Sequence, residues 1–165
     1  MRVPVLAGAI VTAAWSQSPG SGSVQQRVVL RYFHEVLDQR KVRLLEELFH
    51  PQCVIHRPEA TLTGLEGIRG VVERNIAAFS KLETQVHDIF ESGDRVTVRL
   101  THRATGGGVL RSRLGIHDIR GKPVTWDAMA IFRLEKGKIV EEWVSRDELG
   151  ILLRLGVIKP SGELR

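Results

Sequence analysis

From Val24 the apolar positions fall at Val24, Val28, Val29, Tyr32, Phe33, Val36 and Leu37. That spacing repeats with the helical period and predicts an amphipathic helix with one buried face. A second, short helix is expected over Leu44, Leu45, Leu48 and Phe49, stopped by Pro51. Cys53-Val54-Ile55-His56 then reads as a strand entering a loop at Pro58. Thr63 followed by Glu66 has the form of a capping box ahead of Leu65, Ile68, Val72, Ile76 and Phe79, a third helix. Beyond it the period becomes alternating. Glu83 to Glu91 and Arg95 to Arg103 flank Ser92-Gly93-Asp94 as a hairpin, and Val109 to His117 reads as one further strand after the break at Gly106-Gly107-Gly108. Val124 to Leu134 and Ile139 to Val144 form a last hairpin around Lys136-Gly137-Lys138, and Asp147 to Leu155 is a short helix closed by Gly156. Helices first and antiparallel strands afterwards predict an α+β domain, a curved sheet with helices packed on it enclosing a cone-shaped cavity.

The first residues stand apart from this pattern. Arg2, an apolar run from Val3 to Trp15, and small or polar residues to Ser23 have the layout of a secretory signal peptide, with a disordered tail or a misassigned start codon as the plain alternative. The expected organisation is therefore residues 1–23 as signal or tail and 24–165 as one domain, exported if the signal is real and cytoplasmic otherwise. The apolar run is short for a membrane span, which needs about 20 residues. With 165 residues, 42% of them hydrophobic and 26% charged, the chain has ordinary globular composition. Its formal charge of +5 is spread among acidic residues, which argues against a nucleic-acid surface. Cys53 is the one cysteine, so no internal disulfide forms, and its apolar neighbours suggest a buried, inert thiol. His34 and His50 lie too far apart for one helix face, no His-x-x-x-His or Cys-x-x-Cys spacing occurs, and the glycine run lacks the Lys-Ser/Thr of a phosphate loop. A site without metal or cofactor is expected.

The run from Gly121-Lys122-Pro123-Val124 through Ala130-Ile131-Phe132-Arg133 to Glu141-Glu142-Trp143 and Asp147-Glu148-Leu149-Gly150 resembles the end of SnoaL-like polyketide cyclases, in the nuclear-transport-factor-2-like superfamily. His56-Arg57-Pro58 with Gly64, Glu66-Gly67 and Ile68 resembles that family's His-Asn-Pro loop and following helix, Arg57 standing at the Asn position. The resemblance spans about Val24 to Ile158. It implies a cavity for a small, largely apolar or polycyclic molecule, a homodimer, and ring closure by intramolecular aldol chemistry with no cofactor. Such chemistry needs a general acid/base beside the reacting carbon and a group that stabilises an enolate oxygen. The family's Asp position falls at Ala130, and its His position near Gly106.

Strand alternation ranks the replacements. With Ala130 toward the cavity, Ala128 and Trp126 face it too, and Asp127 points to the opposite face, which in this superfamily forms a dimer interface or packs against helices. His102 shares the face of the position near Gly106. His56, His102 and, should the parity be reversed, Asp127 are the candidate catalytic groups, with Trp126, Ala128, Ala130, Arg57, Tyr32 and Phe33 as the pocket. Each has a plainer reading. His102 would be a surface histidine, His56 a loop anchor, Trp126 a core aromatic, and Asp127 the partner of an Arg across the strand. The chain is then either a cyclase or isomerase working through replaced residues, or a binding module that kept the cavity without the acid/base pair.

Overall fold

The computed structural model describes residues 22–159 and Gly162. Nearly all of the expected export signal therefore lies outside the described residues. Helix α1 (Val24–Arg31) opens on a capping box, Ser23 accepting from the Gln26 amide and the Gln26 side chain from the Ser23 amide. It runs on into a π-helical stretch (Tyr32–Asp38). The wider winding of that stretch lets the adjacent pairs Tyr32–Phe33 and Val36–Leu37 all turn inward, and all four are buried.

After α2 (Leu45–Leu48) the chain is already extended at Phe49, so the short helix ends three residues before Pro51 and strand β1 (Phe49–His56) begins at once. Strand β2 (Thr61–Thr63) leads into α3 (Gly64–Ala78), where Thr63 occupies the N-cap without a side-chain capping bond. The capping box expected at Thr63 and Glu66 does not form. Three long strands follow: β3 (Phe79–Ser92), β4 (Arg95–Gly106) and, after a short excursion, β7 (Pro123–Glu135). The excursion, expected as one strand, is a separate two-stranded hairpin of β5 (Val109–Ser112) and β6 (Gly115–Asp118), turning at Arg113-Leu114 with Gly115 at φ 119°. Strand β8 (Lys138–Arg146) and helix α4 (Glu148–Arg154) complete the described elements. Asp147 caps α4 by accepting from the Gly150 amide at 2.8 Å.

The main sheet has the order β2-β1-β8-β7-β4-β3. Its pairs are antiparallel except β1 with β8, which run parallel. Register shifts between Val86 and Asp88 in β3, and between Arg133 and Leu134 in β7, help to curve it. Its concave face packs on α1 and α3 through one core that includes Val29, Tyr32, Phe33, Ile68, Val98, Ala128, Ala130 and Phe132. A second cluster, with Phe79, Ala104, Ile119, Trp126, Ile151 and Leu155, is built around α4. The hollow lies where the two clusters fail to meet.

The glycine run ties the hairpin to the sheet. Gly107 and Gly108 both donate to the Ala78 carbonyl, at 2.8 and 3.2 Å, and Gly106 donates to Lys122. A Cβ on Gly106 would stand 1.8 Å from the Ile119 carbonyl oxygen. No side chain fits at that position, so the histidine that the resemblance places near Gly106 could not be accommodated there.

Candidate active site

Cross-strand register brings the inward-facing residues into rows. His102 is opposite Trp126, Leu100 opposite Ala128 and then Arg146, Val98 opposite Ala130 and then Val144, and Val96 opposite Phe132 and then Glu142. Two alanines between Trp126 and Phe132 leave the floor short of side-chain volume. The resulting cavity measures about 90 Å³. At about 10–15 Å³ per water on this measure, that is room for about six to nine waters, or a molecule of about two fused rings. Tyr32, Phe33 and Leu37 wall one side, Ile151 and Leu152 of α4 another, and Leu110, Arg111 and Ser112 of the β5–β6 hairpin stand at the mouth.

Of the expected pocket residues, Tyr32, Phe33, Arg57, Trp126, Ala128 and Ala130 all line this cavity, and so does His102. The His102 ring is buried and sits beside Trp126, with centroids 4.9 Å apart. Its Nδ1 lies 3.0 Å from the Thr84 hydroxyl, which itself donates to Asp38 Oδ1 at 2.7 Å, while the Thr84 amide donates to Asp38 Oδ2 at 3.2 Å. Thr84 has one hydroxyl proton and gives it to the carboxylate, so it can only accept from His102. The imidazole must then carry its proton on Nδ1, leaving the Nε2 lone pair unprotonated. Among the described residues Nε2 has no hydrogen-bond partner. Burial depresses the His102 pKa to about 4, with the Asp38 charge opposing that fall, so the ring is neutral at pH 7.

His56 is placed elsewhere. Strand β1 ends at His56, and it is Arg57, at the start of the following loop, that turns inward. His56, opposite Trp143 in the parallel β1–β8 register, lies on the outer face, stacked on the Trp143 ring at 5.2 Å and 9°. Its Nε2 is 2.9 Å from Glu141 Oε1. That bond and a further one from Arg133 hold the Glu141 carboxyl below its usual range. The cavity lining does not include His56, against the expectation that its loop borders the hollow. Asp127 also lies outward, accepting from the Thr101 hydroxyl at 2.6 Å. Thr101 in turn is 2.7 Å from His87 Nε2.

Four charged groups of the cavity wall were not anticipated from the sequence. Arg57 donates to Glu142 Oε2 at 3.0 Å, and the Glu142 side chain is 2% exposed. Burial works against the Arg57 charge, but Glu142 outweighs it and the guanidinium pKa is raised. Burial also pushes the Tyr32 phenol upward, keeping it neutral. Arg146 pairs with Glu59 at the rim. Glu148 of α4 accepts from Arg113 Nη2 at 2.8 Å through Oε2. Arg111, exposed at the mouth, makes no ion pair among the described residues. No group of three or more residues suited to a metal ion occurs among the described residues, and no helix among them is long and apolar enough to cross a membrane.

The cavity thus carries a neutral imidazole with one unprotonated nitrogen, a fixed guanidinium and an aromatic wall. Such a set can move a proton at carbon and stabilise the resulting oxyanion. A model of the SnoaL-like polyketide cyclase family matches residues 27–155. Similar solved structures include TsrD from Streptomyces laurentii, with 22% identity over 82% of this chain and 96% of that one at a TM-score of 0.72. AclR from Streptomyces galilaeus is 22% identical over 82% and 97% at 0.71. IdmH from Streptomyces antibioticus is 26% identical over 80% and 98% at 0.65. Among curated proteins no sequence match is found.

Proposed function

This chain belongs to the SnoaL-like polyketide cyclase family, and on that premise we propose that it is a cofactor-independent cyclase or isomerase acting on a small, flat, largely apolar carbonyl compound, with His102 as the base. The observation that carries this reading is the Asp38–Thr84–His102 relay, which directs the free Nε2 away from its bonded side and leaves it available to a bound molecule. Nε2 takes a proton from the carbon α to a carbonyl, the enolate oxygen is stabilised by the Arg57 guanidinium, and the enolate carbon forms the new bond to a second carbonyl of the same molecule. The proton held on His102 then returns to the alkoxide, so nothing is gained or lost. A base with a pKa of about 4 is weak. It therefore selects carbons whose C–H is already acidified by a second carbonyl or an adjoining ring. With Ala130 in place of a carboxylate, His102 alone does the work of the family's acid/base pair.

The test uses 2-tetralone, a two-ring ketone whose benzylic C1–H is acidified. Deuterium uptake from D2O, followed by NMR, is accelerated by the wild-type protein and falls by about 10²-fold or more in His102→Gln. Binding of 2-tetralone with no acceleration in either protein would leave a non-catalytic binding module.

A homodimer through the outer face is part of the same proposal. Phe90, Thr97, Ile131, Trp143 and His56 form one register row across five strands of that face, with Met129 in the next row. Phe90 is 67% and Met129 56% exposed, more apolar surface than a solvated sheet carries without a partner. Sedimentation should show a dimer for the wild type and a monomer for Met129→Glu with Ile131→Glu. Export is proposed on residues 1–23, and N-terminal sequencing after secretion from a bacterial host should find a start between Ala14 and Val24, whereas an intact Met1 would refute it.

A further inference from the structure

Asn75 is the one asparagine in the 165 residues, and it stands in the apolar stripe of α3. Seven residues are almost two helical turns, so it lies on the same line as Ile68, with Val72 and Phe79 beside that line. Ile68 and Val72 are buried in one core cluster and Phe79 in the other. Asn75 falls between them and lines the cavity, only partly buried. Its backbone carbonyl accepts from the Phe79 amide, but its side chain makes no hydrogen bond among the described residues. Both polar atoms of that side chain are open to a water-sized molecule. Packing alone would put an apolar residue here, since asparagine is a poor helix former and its amide gains nothing from the protein. Phe79, one turn on, stacks on Trp126 at 5.2 Å, and Trp126 adjoins the His102 ring, so Asn75 stands toward the His102 end of the cavity.

We propose that Asn75 is a substrate-binding residue: its Nδ2–H donates to a carbonyl oxygen of the bound molecule, that of the carbonyl at which the new carbon–carbon bond forms. This rests on the cyclase reading of the cavity and adds a substrate class to it, a compound with two carbonyls held by separate donors. In that reaction His102 removes the proton and Arg57 holds the enolate oxygen, which leaves the second carbonyl without a donor. As the electron pair of the enolate carbon forms the bond, the carbonyl π pair moves onto this oxygen. An amide N–H fixed beside it stabilises the growing charge until the proton held on His102 completes the hydroxyl. The amide itself is unchanged.

Tetralin-1,4-dione and 1-tetralone share one skeleton and differ by one carbonyl, and calorimetric titration of each into the full chain tests the assignment. The preference for the dione over the monoketone should fall about fivefold in Asn75→Leu, the loss of one neutral hydrogen bond. Leucine keeps the size of the side chain and completes the apolar stripe, so the variant folds. Asn75→Asp keeps the shape without the donor, and it should lose the preference by as much or more. In protein labelled with ¹⁵N on asparagine, the single side-chain amide belongs to Asn75. The dione should move one of its two protons downfield, the direction of a new hydrogen bond. An unchanged preference in Asn75→Leu, with both compounds still bound, would overturn the assignment while leaving the cavity as the ligand site. Binding of neither compound to the wild type would overturn both.

Discussion

Acidification removes a stability contribution that belongs to His102. The buried imidazole stays neutral until about pH 4, whereas in the unfolded chain it takes up a proton near the ordinary value of 6.5. Between those values the unfolded state binds more protons, so folding stability falls as the pH drops through this window. At pH 4.5 the unfolded chain is almost fully protonated at this residue and the folded chain mostly is not. The difference amounts to about 2 to 3 kcal/mol relative to pH 7.5. With a urea slope of about 1 to 3 kcal/mol/M, the unfolding midpoint should move down by about 1 to 2 M from this source alone. Carboxylates titrating in the same range add their own effect, and His102→Gln retains that background while deleting the imidazole. Urea unfolding of both proteins at pH 7.5 and 4.5 therefore isolates the residue, and the wild type should lose about 2 to 3 kcal/mol more than the variant. Equal losses would refute the buried, neutral imidazole and the site built on it.

Two further outcomes follow from the cavity wall and the glycine run. Arg57→Met strands the buried Glu142 carboxylate and should cost about 3 to 5 kcal/mol, lowering the melting temperature by about 10 °C, with most of the loss recovered by adding Glu142→Gln. Scanning fluorimetry showing full stability for Arg57→Met would contradict the pair's burial. Gly106→Ala forces a Cβ against the Ile119 carbonyl and should cost about 3 kcal/mol or more by urea unfolding. Gly137→Ala, at φ 76° with open space around it, should cost only about 1 to 2 kcal/mol, so equal losses at the two positions would refute the close approach.

Periodicity and parity made much of this protein legible from its sequence. The helical stripe from Val24 to Leu37 and the alternation from Val124 to Leu134 correspond to α1 with its π-helical extension and to β7. Counting by twos from Ala130 placed Ala128 and Trp126 on one face of β7, and counting back from the position near Gly106 placed His102 on one face of β4. His56 closes β1 and Arg57 begins the loop after it, so strand alternation alone does not say which of the two turns toward the hollow. Thr84 could not be found that way. Its meeting with His102 depends on the β3–β4 register and on the register shift after Val86, neither of which a local pattern records. Asp38 reaches Thr84 from the end of a π-helical stretch, a winding that apolar spacing does not distinguish from an ordinary helix. Glu142 did leave a signal, since it sits at an inward parity position in β8 between Val140 and Val144. A carboxylate among apolar alternates needs a buried cation, and Arg57 was available. The burial of Glu148 left none, because it is set by how α4 closes against the hairpin.

The protonation site of His102 tests the central claim most directly. Long-range ¹H–¹⁵N correlation spectra of the imidazole, recorded from pH 7.5 down to 3.5, should show a neutral ring protonated on Nδ1 that titrates near pH 4, with the Nδ1 preference lost in Thr84→Val. A proton on Nε2 at pH 7.5, or a midpoint near 6.5, would contradict a relay that holds Nε2 free as the base.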